Sequence, residues 1–195
     1  MNWLYCNISD FSETEYVQAR TQLSQSRKKR IERMKMPLDK KRSLASGLLL
    51  KRLLSEKYGI EDALLENREN GSPFLVGTDL FVSISHSEEM VACAVSERPV
   101  GIDIELIKPI NLAVCRKVCV EDEAVYIFGK IPNKEDYCYC ENEEILRRFF
   151  EIWTAKEAYF KMLGTGITDF KTVNVLSLKR QSYSIGNYYV QIVTE

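Results

Sequence analysis

Val100-Gly101-Ile102-Asp103-Ile104-Glu105 alternates apolar residues with others at a period of two, the pattern of a β-strand with one buried face. Val100, Ile102 and Ile104 share one face, and Gly101, Asp103 and Glu105 share the other. The two carboxylates are therefore roughly 6–7 Å apart along the backbone, at about 3.3 Å per residue. Like charges held that close resist ionising unless a positive group lies between them. A hard divalent cation meets that need, and magnesium typically takes one or two carboxylates together with substrate phosphates. A strand whose acidic face is merely wet shows the same alternation, so the strand alone does not decide.

A third carboxylate comes from Trp153-Thr154-Ala155-Lys156-Glu157, within a helix expected from about Glu143 to Leu163 and ended by Gly164. Phe149, Ile152, Trp153, Phe160 and Leu163 recur at three- and four-residue steps. Glu157 follows Trp153 by one turn, about 40° round the helix, and borders the buried stripe. It needs a partner there, and Lys161 at the next turn is an ordinary helical one. Three carboxylates from a strand and a helix read as a metal-dependent enzyme acting on a phosphorylated substrate.

The flanking elements are mixed without regular alternation, which makes the class α+β. Trp3 to Ile8 alternates like a strand, and Ser12 with Glu15 forms a capping box. Pro37 opens a long helix through Tyr58, closed by Gly59, with Leu44, Leu48, Leu49, Leu53 and Leu54 as its buried stripe. Leu80 to Ser85 and Met90 to Val95 make a strand pair around His86-Ser87-Glu88-Glu89. Short helices are expected from about Asn111 and over Glu121 to Phe128, and Gly129 to Asn142 is a surface loop. Val173 to Leu178, Gln181 to Ile185 and Tyr188 to Val193 read as a closing antiparallel meander.

A net charge of −1 argues against a general nucleic-acid binder, although Arg27 to Arg42 is strongly basic. Arg27 and Arg30 are one turn apart, suited to clasping a phosphate dianion or to facing water. Ser83-Ile84-Ser85-His86-Ser87 offers hydroxyls, and the single histidine, to a phosphate. Six cysteines lack the spacing of a zinc ribbon, and Cys6 and Cys93 fall within apolar strands. Met1 to Tyr5 lacks the pattern of a secretory leader, and no apolar run reaches membrane-spanning length. The expected setting is cytoplasmic.

Five short motifs occur in order along nearly the whole chain: Arg27-x-x-Arg30, Asp39-x-x-Arg42-Ser43, Ile84-Ser85-His86-Ser87, Gly101-Ile102-Asp103-Ile104-Glu105, and Trp153-x-x-Lys156-Glu157-x-x-x-Lys161 followed by Gly164-x-Gly166. In this set the chain resembles the 4′-phosphopantetheinyl transferases of the surfactin-synthetase-activating type. The resemblance implies transfer of the phosphopantetheine arm of coenzyme A to a serine of an apo acyl or peptidyl carrier protein, releasing adenosine 3′,5′-bisphosphate. It implies two similar α+β halves, residues 1–98 and 99–195, related by a pseudo-twofold axis with the site in the cleft between them, in a monomer. It further implies that Asp103, Glu105 and Glu157 hold Mg2+, that Arg27, Arg30, Arg42, Ser43, Ser85 and His86 line the coenzyme, and that Lys161 stabilises the leaving pyrophosphate oxygen. Glu157, Glu123 or a metal-bound water would accept the serine proton. The carrier would meet the Cys115 to Val120 region or the Gly129 to Asn142 loop. Gly71-Ser72-Pro73 departs from the family's frequent Gly-Lys-Pro, leaving one phosphate contact short. A non-catalytic coenzyme A or carrier binder and a metal-dependent pyrophosphate hydrolase are the competing readings.

Overall fold

The computed structural model describes residues 1–166 and 169–195. In chain order the elements are β1 (Asn2–Asn7), α1 (Glu13–Thr21), α2 (Gln25–Arg33), α3 (Pro37–Tyr58), β2 (Leu64–Asn67), β3 (Pro73–Val76), β4 (Phe81–Ser87), β5 (Met90–Ser96) and β6 (Val100–Leu106). There follow β7 (Ile110–Asn111), α4 (Cys115–Val118), α5 (Glu121–Phe128), β8 (Tyr139–Cys140), α6 (Glu143–Leu163), β9 (Arg180–Ile185) and β10 (Tyr188–Thr194). The class is α+β. Two antiparallel three-stranded sheets, ordered β1-β5-β4 and β6-β10-β9, form the centre.

The strand period builds the layers. On β5, Val91, Cys93 and Val95 pack with Leu49, Leu50 and Leu53 of α3, while Met90, Ala92 and Ala94 turn the other way. These last meet Val100, Ile102 and Ile104 of β6 and Val190 and Ile192 of β10, so the two sheets stack on each other. The opposite face of β6 is covered by α6, which gives a helix–sheet–sheet–helix arrangement. Both faces of β6 are thus enclosed, and Asp103 is only 2% exposed. A wet acidic face is excluded.

Local signals explain the main helices. Ser12 accepts from the Glu15 amide, closing the expected capping box on α1. Pro37 starts α3 and Gly59, at φ 65°, ends it. Its buried stripe is rotated from expectation: Ala45, Leu49, Leu50, Leu53 and Leu54 are buried, whereas Leu44 and Leu48 are only partly covered. Asn142 caps α6 and Gly164, at φ 66°, closes it, but Leu163 is exposed. The β4–β5 turn is tighter than expected, because His86 and Ser87 belong to β4 and only Glu88-Glu89 turns. The expected strand over 173–178 is absent: Val175–Ser177 is a single 3-10 turn capped by the Asn174 side chain.

Candidate active site

Gly101 sets the site by what it lacks. A Cβ there would lie 1.8 Å from the Ala158 carbonyl oxygen and 2.6 Å from the Met162 amide. Only glycine lets α6 approach β6 so closely. That contact brings Glu157 and Lys161, the helix residues flanking Ala158 and Met162, over Asp103 and Glu105.

Lys161 crosses from helix to strand, with Nζ 2.6 Å from Asp103 Oδ1 and 2.8 Å from Ser85 Oγ. The Ser85 hydroxyl in turn donates to Asp103 Oδ1 at 2.7 Å. Lys161 therefore pairs across to the strand and not along its own helix with Glu157. Asp103 Oδ2 is buried and accepts no hydrogen bond. A buried carboxylate oxygen without a donor is costly and marks a place for a positive ligand.

The other two carboxyls show the same shortage of positive charge. Burial, with Asp103 and Glu105 nearby, pushes Glu157 up to about 7 despite Lys161. Glu105 is also raised, first by burial, against the opposing Ser87 hydroxyl and Trp153 indole. Among the described residues no three His, Cys, Asp or Glu side chains already stand together as a metal site; Lys161 occupies Asp103 instead. The oxygen-only donors, the unpartnered Oδ2 and the raised carboxyls nevertheless fit a hard divalent cation.

The alternating serines of β4 hold this geometry. Ser83 Oγ accepts from the Ile102 amide at 3.0 Å, and Ser87 Oγ accepts from the Leu106 amide at 3.1 Å. Ser87 also donates to Glu105 Oε2 at 2.7 Å. The neighbouring edges of the two sheets are thus joined by side-chain hydroxyls. Sequence reading offered these hydroxyls to a phosphate; their period of two on one face was the signal for what they do.

The remaining candidates separate. His86 is exposed, and partial desolvation together with the charges of Arg42 and Lys161 lowers its basicity. Arg42 is held by Asp39 at 3.1 Å and by the Glu88 carbonyl at 2.5 Å. Arg27 is buried and donates to the Ser43 carbonyl at 3.3 Å and its Oγ at 3.4 Å, lining a separate cavity of about 300 Å³ beside α3. Arg30 is exposed, one turn away. Glu123 is not in the carboxylate cluster: both it and Lys156 are 0% exposed and pair at 2.8 Å. Glu123 also accepts from the Val120 and Val175 amides, and Lys156 donates to the Phe170 and Val173 carbonyls. With its lone pairs already engaged and no path to solvent, Glu123 serves the fold.

In front of Lys161 and Glu157 lies a cleft of about 970 Å³, walled by the β2–β3 hairpin, β4 and the C-terminal turn of α6. That volume accommodates a nucleotide-sized ligand.

A family model described as "4'-phosphopantetheinyl transferase superfamily" matches residues 99–192, and one described as "4'-phosphopantetheinyl transferase, N-terminal" matches residues 10–98. The chain is 37% identical over 131 residues to 4'-phosphopantetheinyl transferase gsp of Aneurinibacillus migulanus, covering 66% of this chain and 51% of that protein. It is 34% identical over 140 residues to psf-1 of Bacillus pumilus, covering 70% and 56%. To Sfp of Bacillus subtilis (strain 168) it is 29% identical over 134 residues, covering 67% and 55%. The chain belongs to the 4′-phosphopantetheinyl transferase superfamily. It spans about half the length of these curated relatives.

Proposed function

We propose that this chain transfers the 4′-phosphopantetheine arm of coenzyme A to a serine of an apo carrier protein, with Asp103, Glu105 and Glu157 holding Mg2+. The observation that carries the proposal is the orphaned Asp103 Oδ2 beside Lys161, a lysine that lines a nucleotide-sized cleft together with Glu157. When bound, the cation would neutralise charge developing on the coenzyme's diphosphate. Ser85 and Ser87 orient Asp103 and Glu105, and Lys161 would have to release Asp103 for the cation to be held. Lys161, lining the cleft, donates a proton or a charge-assisted hydrogen bond to the leaving phosphate oxygen. Glu157 accepts the proton of the carrier serine.

The expected phosphate contacts of His86, Arg42 and Arg30 lie outside the lining of this cleft, and Arg27 and Ser43 brace α2 against α3. Residues 1–98 and 99–195 act as two related halves: each contributes a three-stranded sheet and a long helix, α3 or α6, which supports a pseudo-twofold arrangement. The carrier would dock on the segment between α5 and α6, where Ile131 and Tyr139 are exposed. The setting proposed is the cytoplasm, in which buried Cys6, Cys93, Cys115 and Cys119 remain thiols, and the enzyme acts as a monomer. No helix among the described residues is long and apolar enough to cross a membrane.

The test is intact-mass analysis of apo carrier proteins after incubation with the chain, coenzyme A and Mg2+. A gain of one phosphopantetheine on a carrier is expected. No gain across fatty-acid, polyketide and peptide carriers contradicts the proposal, and coenzyme A cleavage without any carrier turns it towards hydrolysis.

A further inference from the structure

The cleft contains a second cation that neither the carboxylate site nor the motifs use. Arg68 follows β2, and its amide donates to the Ser72 carbonyl at 2.9 Å, across the hairpin from β3. Its guanidinium lies 4.9 Å from the Phe74 ring centroid, on the wall of the cleft that also exposes Lys161. Arg68 forms no ion pair among the described residues. The cleft's other carboxylates, Asp79 and Glu97, also leave it free. The Gly71-Ser72-Pro73 turn beside it has no charge of its own.

The hairpin bearing Arg68 is tied down. Asn70 Nδ2 donates to the Gly164 carbonyl at the end of α6 at 2.5 Å, bridging the mouth of the cleft. Asn70 Oδ1 accepts from the Ser72 amide at 3.0 Å and the Ser72 hydroxyl at 2.8 Å, and Asn67 donates to the Gly71 carbonyl at 2.9 Å. A guanidinium held over an aromatic ring by a cation–π contact leaves N–H groups free, and these match two phosphate oxygens. The cation–π contact and the fixed turn remove much of the entropy that a free arginine would lose on binding.

We infer that Arg68 is a phosphate-binding residue of this cleft, gripping the anionic part of a ligand that Lys161 also faces. This inference rests on the proposed coenzyme A function. The experiment is equilibrium binding of coenzyme A and of dephospho-coenzyme A to the parent chain, Arg68→Gln and Arg68→Lys. Arg68 is exposed and makes no hydrogen bond with its side chain among the described residues, so both variants keep the fold, which circular dichroism checks.

Arg68→Gln should weaken coenzyme A roughly ten- to hundred-fold, the range for a lost charged hydrogen bond, and Arg68→Lys should weaken it less. The gap between parent and Arg68→Gln should narrow as salt rises. An equal loss with dephospho-coenzyme A places the contact on the diphosphate, and a loss confined to coenzyme A places it on the 3′-phosphate. Parent-like binding by Arg68→Gln, or a gap indifferent to salt, overturns the inference while leaving the proposed function standing. A parent chain that binds neither ligand overturns both.

Discussion

Replacing Gly101 with alanine tests how the site is built. The added Cβ would sit 1.8 Å from the Ala158 oxygen, where side-chain carbons keep at least about 3.0 Å. The obstacle is helix backbone, which cannot rotate away as a side chain would, so α6 must retreat from β6 by more than an ångström. Overpacking of this kind costs about 1–3 kcal/mol or somewhat more. The functional cost is larger, because the retreat carries Lys161 away from the Asp103 oxygen it holds at 2.6 Å. Misplacement by about 1 Å can cost on the order of a hundredfold in rate. Urea denaturation with single-turnover transfer measures both effects, and Gly47→Ala is the control. Gly47 lies inside α3, and a methyl group there would meet nothing within 4 Å, so alanine should be neutral or stabilise by up to about 1 kcal/mol. Gly101→Ala with parent stability and parent transfer rate would refute the close-approach reasoning.

Two further outcomes are expected. Lys156→Met strands the Glu123 carboxylate in a site with 0% exposure, at a cost of about 3–5 kcal/mol; thermal denaturation should show a midpoint lower by at least several degrees, and a shift within error would mean the pair is not sealed. For the metal-free chain, the folded state keeps the Glu157 proton up to about 7, above the ordinary carboxyl value of 4.5. The unfolded chain releases that proton at the lower pH, so stability falls as pH rises through this window. Cation binding needs the carboxylate, so the thermal shift produced by Mg2+ should grow from about pH 6 to about pH 8 and then level off; a shift that shrinks over that range would contradict the assignment.

The elements that sequence made legible are those with strong periodicity and caps. Helices α3 and α6 carry proline, asparagine or glycine at their ends, and β6 alternates cleanly. The 173–178 segment misleads because its apolar spacing mimics a strand. Its backbone groups are instead satisfied by side chains: Asn174 takes the Leu176 amide and Glu123 takes the Val175 amide. The Glu88-Glu89 turn lacks the usual glycine or asparagine, and Glu88 adopts φ 48° without either. Nothing local announces that β4 continues through His86.

The site divides in the same way. Asp103, Glu105 and Glu157 are readable from spacing as a candidate trio, whereas Lys161 reads from spacing only as a helical partner of Glu157 and enters the candidate site through the family resemblance. Glu123 is not, because its burial depends on Lys156, a residue of another helix whose own burial no local pattern reveals. Arg68 carries no motif; only the fold of the hairpin brings it to the cleft wall.

Anomalous scattering from crystals grown with Mn2+ and coenzyme A is the most direct measurement of the central claim. The account predicts one ion bounded by oxygens of Asp103, Glu105 and Glu157 and by the coenzyme's diphosphate. An ion bound elsewhere, or no ion with Lys161 still clasping Asp103 beside bound coenzyme A, would contradict it.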